Sequence, residues 1–213
     1  MLEILIFTLT ILNSIFAVEN PGFSAKSKDA IVSLHNDFRS KCARGVLLDK
    51  NGQKIGPAKN MRKLYWSNVL EKSAQNFAQL HPNGPNLEYF GNLTVNIDYF
   101  ETTQRISNCQ EIALKAGLNW RDRIGSATWK GPVITREYLE EMDESLRMLW
   151  AETTEIGCGL SSKIRPGKPS EIYVVCIYHP GGLDVGAEIF KSGKTCSGCP
   201  ANTKCEENTG LCI

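Results

Sequence analysis

The groups able to do chemistry in this chain are few. Three histidines, His35, His81 and His179, stand apart from one another and outside any metal-ligand spacing. No H-E-x-x-H zinc helix, no G-x-S-x-G nucleophile turn and no phosphate-cradling glycine loop occurs. Nucleophilic hydrolysis needs a base within hydrogen-bond reach of a nucleophile. His81 is the one credible base here, and no Ser or Cys is paired with it in the sequence. His35, beside Asn36, reads as structural, and His179 as exposed.

The cysteines carry more information. All eight lie at or beyond residue 42, and an even set suits an oxidising compartment. Residues 150–159 and 173–182 each read as a strand, or the lead into one, with a single cysteine. The Gly-, Pro- and Lys-bearing residues 163–170 between them form a turn. If Cys158 and Cys176 face each other across that hairpin, their bridge contributes about 3 kcal/mol in the chain-entropy model. Cys196, Cys199, Cys205 and Cys212 sit in a stretch without hydrophobic periodicity, which reads as a knot stapled by two bridges. Four cysteines allow three pairings, of which 196–205 with 199–212 is favoured. By elimination Cys42 would pair with Cys109. A metal knuckle opening at Cys196-x-x-Cys199 is the alternative, but Cys205 and Cys212 are not the second tight pair of a zinc ribbon.

The elements that must hold these groups follow from patterning. Residues 1–17 are an apolar run too short to span a bilayer and read as a signal peptide cut near Ala17. No second long apolar stretch follows, so no membrane anchor is expected. The formal net charge is +1, one more once Glu3 is removed, which argues against nucleic acid or an anionic membrane as the main partner. What remains is one domain, residues 18–192, with a cysteine-rich tail, residues 193–213. Helices are predicted over 27–43, with Ser27 as cap and Ile31, Leu34, Phe38 and Cys42 as stripe, and over 67–80, with Leu70, Ala74 and Phe77 inward. A third begins at the capping box Ser107–Gln110 and carries Ile112, Ala113, Ala116 and Trp120. A fourth covers 135–150 on Leu139, Met142, Leu146 and Leu149. With strands at 92–98, 155–162 and 171–178, this order gives an α+β fold, helices flanking a small, mostly antiparallel sheet.

Four strings in order carry a resemblance. They are His35-Asn36-x-x-Arg39-Ser40, then Ala58-x-Asn60-Met61 with Trp66 to Ala78, then Trp150-x-x-Thr153 through Gly157-Cys158-Gly159, then Cys176-x-Tyr178-x-Pro180-x-Gly182. Over residues 28–185 the chain resembles the superfamily of cysteine-rich secretory proteins, antigen 5 and plant pathogenesis-related proteins. Its nearest flavour is the nematode venom-allergen-like and activation-associated secreted proteins. The resemblance implies a three-layer α-β-α sandwich and a cleft tetrad of two His and two Glu that in some members binds a divalent cation. Carried over by position, that tetrad is dismantled: a His becomes Glu144, the two Glu become Gly91 and Arg123, and only His81 can stand for the remaining His. No metal and no cofactor are therefore expected. Arg123 and Glu144 are expected to pair across the old cleft, since guanidinium and carboxylate match in shape and charge. Two Asn positions of the last signature are Ile177 and Leu183, which makes that hairpin more apolar.

Asn92-Leu-Thr94 is a glycosylation sequon at the rim of that cleft. The resemblance implies a secreted, non-enzymatic effector or immunomodulatory protein that binds an extracellular macromolecule or a sterol or fatty acid. Such a lipid would need an apolar groove, for which Phe38 with Leu139 or Met142 are the candidates, although the same residues also read as core. The alternatives are a metal-dependent hydrolase of the same fold and an ion-channel modulator acting through the tail.

Overall fold

The computed structural model describes residues 22–80, 93–103, 108–163 and 167–213. In chain order the elements are α1 (Ala25–Ala43), the short strands β1 (Leu47–Leu48), β2 (Lys54–Ile55) and β3 (Tyr65–Trp66), and α2 (Asn68–Gln79). Then come β4 (Thr94–Thr102), α3 (Cys109–Asp122), α4 (Arg136–Glu141), α5 (Asp143–Leu149), β5 (Glu155–Lys163) and β6 (Ser170–His179). Two short strands, β7 (Cys205–Glu206) and β8 (Leu211–Cys212), close the tail.

The main sheet has the order β3-β5-β6-β4, with only β3–β5 parallel. Strand periodicity sorts its two faces. Val95, Ile97, Val175 and Ile177 pack with Leu70, Ala74, Phe77 and Ala78 of α2. Cys158, Leu160, Ile172, Val174, Cys176 and Tyr178 face the larger core, shared with α1, α3 and α5. Helix α2 comes unusually close to the sheet because β5 offers glycines beneath it. A Cβ on Gly157 would lie 2.1 Å from the Glu71 amide nitrogen, and one on Gly159 2.3 Å from that of Gln75. The Gln75 side chain then takes the place of a neighbouring strand, accepting from Leu160 N at 3.0 Å and donating to Leu160 O at 2.9 Å.

Several expectations shift. Helix α1 starts two residues early, because Ser24 rather than Ser27 supplies the cap oxygen, to Ser27 N at 3.1 Å. Asn108 caps α3 through Gln110 N and Glu111 N, while Ser107 lies outside the described residues. The single helix expected over 135–150 is two, broken at Met142 (φ −147°, ψ 26°). The restart puts Asp143 and Glu144 in a first turn, where the helix dipole favours carboxylates.

Bridges join Cys158 to Cys176, Cys196 to Cys205 and Cys199 to Cys212. Cys42 and Cys109 are free thiols, which corrects the pairing reached by elimination. Ser27 bonds to Gln110 and Leu34 lies against Gly117, so α1 and α3 run parallel and in step. Cys109 is therefore level with the start of α1 and Cys42 with its end, roughly 24 Å along the axis at ~1.5 Å per residue. A disulfide requires Cα atoms within about 7 Å.

The tail docks onto the domain. Cys212 N donates to Met61 O and Lys63 N to Cys212 O, Ser40 Oγ donates to Thr209 O, Thr195 Oγ1 donates to Ala43 O, and Leu211 is fully buried in the main core. This is more than an appended knot: the tail extends the backbone pairing of residues 58–63 and covers the end of α1.

Candidate functional site

Arg123 and Glu144, two of the positions carried over from the resemblance, mark a site where the end of α3, the start of α5 and the first half of β4 meet above β6 and α1. Its floor is a buried chain of hydrogen bonds whose direction the chemistry fixes. Arg147 donates to Asn96 Oδ1 at 3.3 Å, and Asn96 Nδ2 donates to Glu144 O at 3.0 Å and to Tyr178 Oη at 3.2 Å. Tyr178 Oη is 3.0 Å from His35 Nε2, and His35 Nδ1 is 2.8 Å from Ile31 O. A carbonyl can only accept, so Nδ1 carries a proton, and in the neutral ring that burial enforces Nε2 receives the proton of Tyr178. His35 is thus neutral, and burial first, with Arg39 a smaller contributor, pulls its pKa down to about 4 against the lift from Ile31 O. Burial also raises Tyr178 far above the ordinary phenol value. Neither group is a base or nucleophile near neutrality.

Beside this chain sits Arg39, wholly buried. Its guanidinium donates to five carbonyls: Arg62 O (2.8 Å), Met148 O (2.9 Å), Trp150 O (2.9 Å), Ala151 O (3.2 Å) and Thr153 O (3.1 Å). One of them, Met148 O, is an orphan acceptor in the last turn of α5, the negative pole of that helix. Burial lowers the Arg39 pKa to about 9, still well above neutral, so the cation persists and its countercharge is distributed over backbone dipoles.

At the rim the two charges singled out in the sequence meet. Arg123, in a 3-10 turn (Arg123–Gly125) after α3, places Nε 3.5 Å from Glu144 Oε2. The pair is loose: that oxygen has no hydrogen-bond partner among the described residues. Glu144 is held above the usual carboxylate range by burial first and then by its hydrogen bond and repulsion with Asp143, which a backbone amide and, less, Arg123 only partly offset. Asp143 itself is clamped by Arg147 at 2.6 Å. His81, Gly91 and Asn92 lie outside the described residues.

These residues do not fit a divalent cation. Arg123 directs a positive charge at the carboxylate a metal would need, and Asp143 is already held by Arg147. Among the described residues no cluster of three or more His, Cys, Asp or Glu could hold a metal ion. His179 lies instead beside Glu155, Nδ1 to Oε2 3.6 Å, where β5 begins and β6 ends. The proposed apolar groove is filled: Phe38 and Met142 are core residues and Leu139 packs against them. One open hollow of about 460 Å³ lies on the outer face of α3, where Asn108, Glu111 and Lys115 mix with Leu114 and Leu118.

Residues 32–178 match the profile of the Cysteine-rich secretory protein family. The chain belongs to that family. Venom allergen 5.02 of Vespa crabro is 30% identical over 172 residues, covering 80% of this chain and 82% of the allergen. The cysteine-rich venom protein of Tityus serrulatus is 28% identical over 195 residues, but this chain spans only 45% of its length. Among solved structures BmVAL-1 superposes with a TM-score of 0.81 at 25% identity, covering 91% of this chain and 97% of that one. NaASP2 with Zn2+ gives 0.79 at 24%, covering 91% and 98%, a likeness of fold. The three-layer architecture expected from the resemblance is the one observed. Among the described residues no helix is long and apolar enough to cross a membrane.

Sequence reading found Arg123 and Glu144 but missed the network of Arg147, Asn96, Tyr178 and His35 and the buried Arg39 beside it. A signal existed for two of these five. His35 and Arg39 lie four apart and, with Ile31, Phe38 and Cys42, occupy the buried face of α1.

Proposed function

We propose that this protein is a secreted, non-catalytic binding protein of its family, an effector or immunomodulatory type that acts on an extracellular protein through its surface. The observation that carries this reading is the Arg123–Glu144 pair at the cleft position. It stands over a floor in which Arg147, Asn96, Tyr178 and His35 are already committed to one another. A hydrolytic site needs a group free to take a proton near neutral pH; in this floor the lone pair of His35 is spent on Tyr178. Members of the family are generally not enzymes, and the relatives it matches are venom proteins and allergens. A protein partner is favoured over a lipid because the residues nominated for a groove are packed as core. The docked tail likewise argues against a free channel-blocking module.

Native mass spectrometry of the secreted protein, with and without lipid extraction and with added Zn2+, tests the reading. The expected spectrum is that of the bare polypeptide, allowing for any glycan at Asn92, and it is unchanged by either treatment. A stoichiometric zinc adduct or a co-purifying sterol or fatty acid would overturn it.

A further inference from the structure

A second surface lies at the joint between the domain and the tail, away from the cleft. An antiparallel bridge joins Ala58 to Ser192, with Lys59 N donating to Lys191 O at 2.9 Å and Gly193 N to Pro57 O at 3.1 Å. That pairing sets Lys59 opposite Lys191, with side chains on the same face. Like charges directly opposite are destabilising, and here neither can retreat freely. The Lys59 stem lies flat across two tail glycines: a Cβ on Gly198 would be 2.8 Å from its Cγ, and one on Gly193 3.1 Å from its Cδ. Gly198 N also donates to Lys59 O at 3.0 Å, which fixes that backbone from the other side. Lys191 is held by its amide, which donates to Asn60 Oδ1 at 2.8 Å. Lys194, next to Gly193, is exposed like Lys191 and adds a third ammonium. Among the described residues no carboxylate forms an ion pair with Lys59, Lys191 or Lys194, although eight other lysines and arginines are so paired.

We infer that Lys59, Lys191 and Lys194 form a binding surface for a sulfated polysaccharide. Clustered ammonium groups without counterions recognise an anion, and the binding releases ions from the polymer, so it weakens with salt. Lys191 and Lys194 are exposed and Lys59 is half-buried, an arrangement that suits repeated sulfate groups along an extended chain better than one small anion. An ammonium acts as a point charge without the planar fork of arginine, so it does not require one fixed acceptor geometry. The bridge and the two glycines pre-position the charges, which reduces the ordering cost of binding. The choice of a glycan rests on the extracellular setting proposed above; the anion site itself does not depend on the cleft being inactive.

The test uses the full secreted protein on immobilised heparin, with a salt gradient, beside the variant K59Q/K191Q/K194Q and the control K54Q/K72Q. The native protein should be retained and elute with salt. The triple variant should bind about tenfold or more weakly, the control should match the native protein, and unchanged thermal unfolding should show that all three are folded. N- and O-desulfated heparin should fail to compete, and vesicles with phosphatidylserine should bind no better than neutral ones. Passage of the native protein through the column, equal retention of the triple variant, or equal competition by desulfated heparin overturns the inference. So does preferential binding to the anionic vesicles. A result of this kind leaves the reading of the cleft untouched, since that is measured by zinc and lipid occupancy.

Discussion

Replacing Arg39 by methionine keeps most of the volume of the side chain and removes all five of its donors. Trp150 O and Ala151 O retain a second donor, the amides of Thr153 and Arg62. Among the described residues no other donor reaches Arg62 O, Met148 O or Thr153 O. Three buried carbonyls are thus stranded at roughly 1.3 kcal/mol each, the low end for an unsatisfied buried acceptor, or about 4 kcal/mol in all. A buried ion pair can sometimes be exchanged for apolar residues without loss, provided both partners change. Here the partners are backbone carbonyls and cannot be exchanged. With total stabilities of about 5–15 kcal/mol, Arg39→Met should sit near the limit of folding. Arg39→Lys, which restores charge and up to three donors, should recover roughly half. Urea unfolding with the disulfides intact measures both, and the slope shows whether the unfolded state has changed. A methionine variant within about 1 kcal/mol of the parent, at unchanged slope, would refute the argument that this guanidinium holds α1, the 62–64 segment and the end of α5 together.

Three further outcomes are expected. His35 is neutral in the fold down to about pH 4, whereas in the unfolded chain it takes its proton near pH 6.5. Stability should therefore fall as pH drops from about 6.5 to about 4, by about 3 kcal/mol from this group, and a folded His35→Gln variant should lose that share of the slope in pH-dependent unfolding. Gly159→Ala should cost about 3 kcal/mol, because its methyl group meets the backbone of α2 rather than a movable side chain; a thermal midpoint equal to the parent's would contradict that packing. Thiol titration without reductant should find two free cysteines. Cys109 should react slowly in the native protein. Cys42, whose thiol burial pushes up to about 12, should react only after unfolding, and a count of zero would restore a bridge between them.

What could be read in advance followed from local rules. The stripes of α1 and α2 and the β5–β6 hairpin obey side-chain periodicity, which neighbours cannot easily override. The tail pairing was constrained by there being only three possibilities. Elimination failed for Cys42 and Cys109 because it assumes every cysteine is oxidised, while the positions of those two depend on the parallel sense of α1 and α3. The break at Met142 was invisible for a similar reason: no proline or glycine marks it, and the apolar stripe runs through it unbroken. Of the cleft, Arg123 and Glu144 were legible as a pair by charge and position. The floor beneath them draws Arg147, Asn96, Tyr178 and His35 from four separate elements, a juxtaposition no spacing in the chain encodes.

The way the tail closes over α1 has a bearing on how the molecule is made. Thr209 and Leu211 seal a helix that left the ribosome some 169 positions earlier. Until they arrive, the hydroxyl of Ser40 and the carbonyl of Met61 lack the tail partners they bond in the finished fold. The domain therefore gains this set of contacts only when its last residues, tied by the 196–205 and 199–212 bridges, are in place.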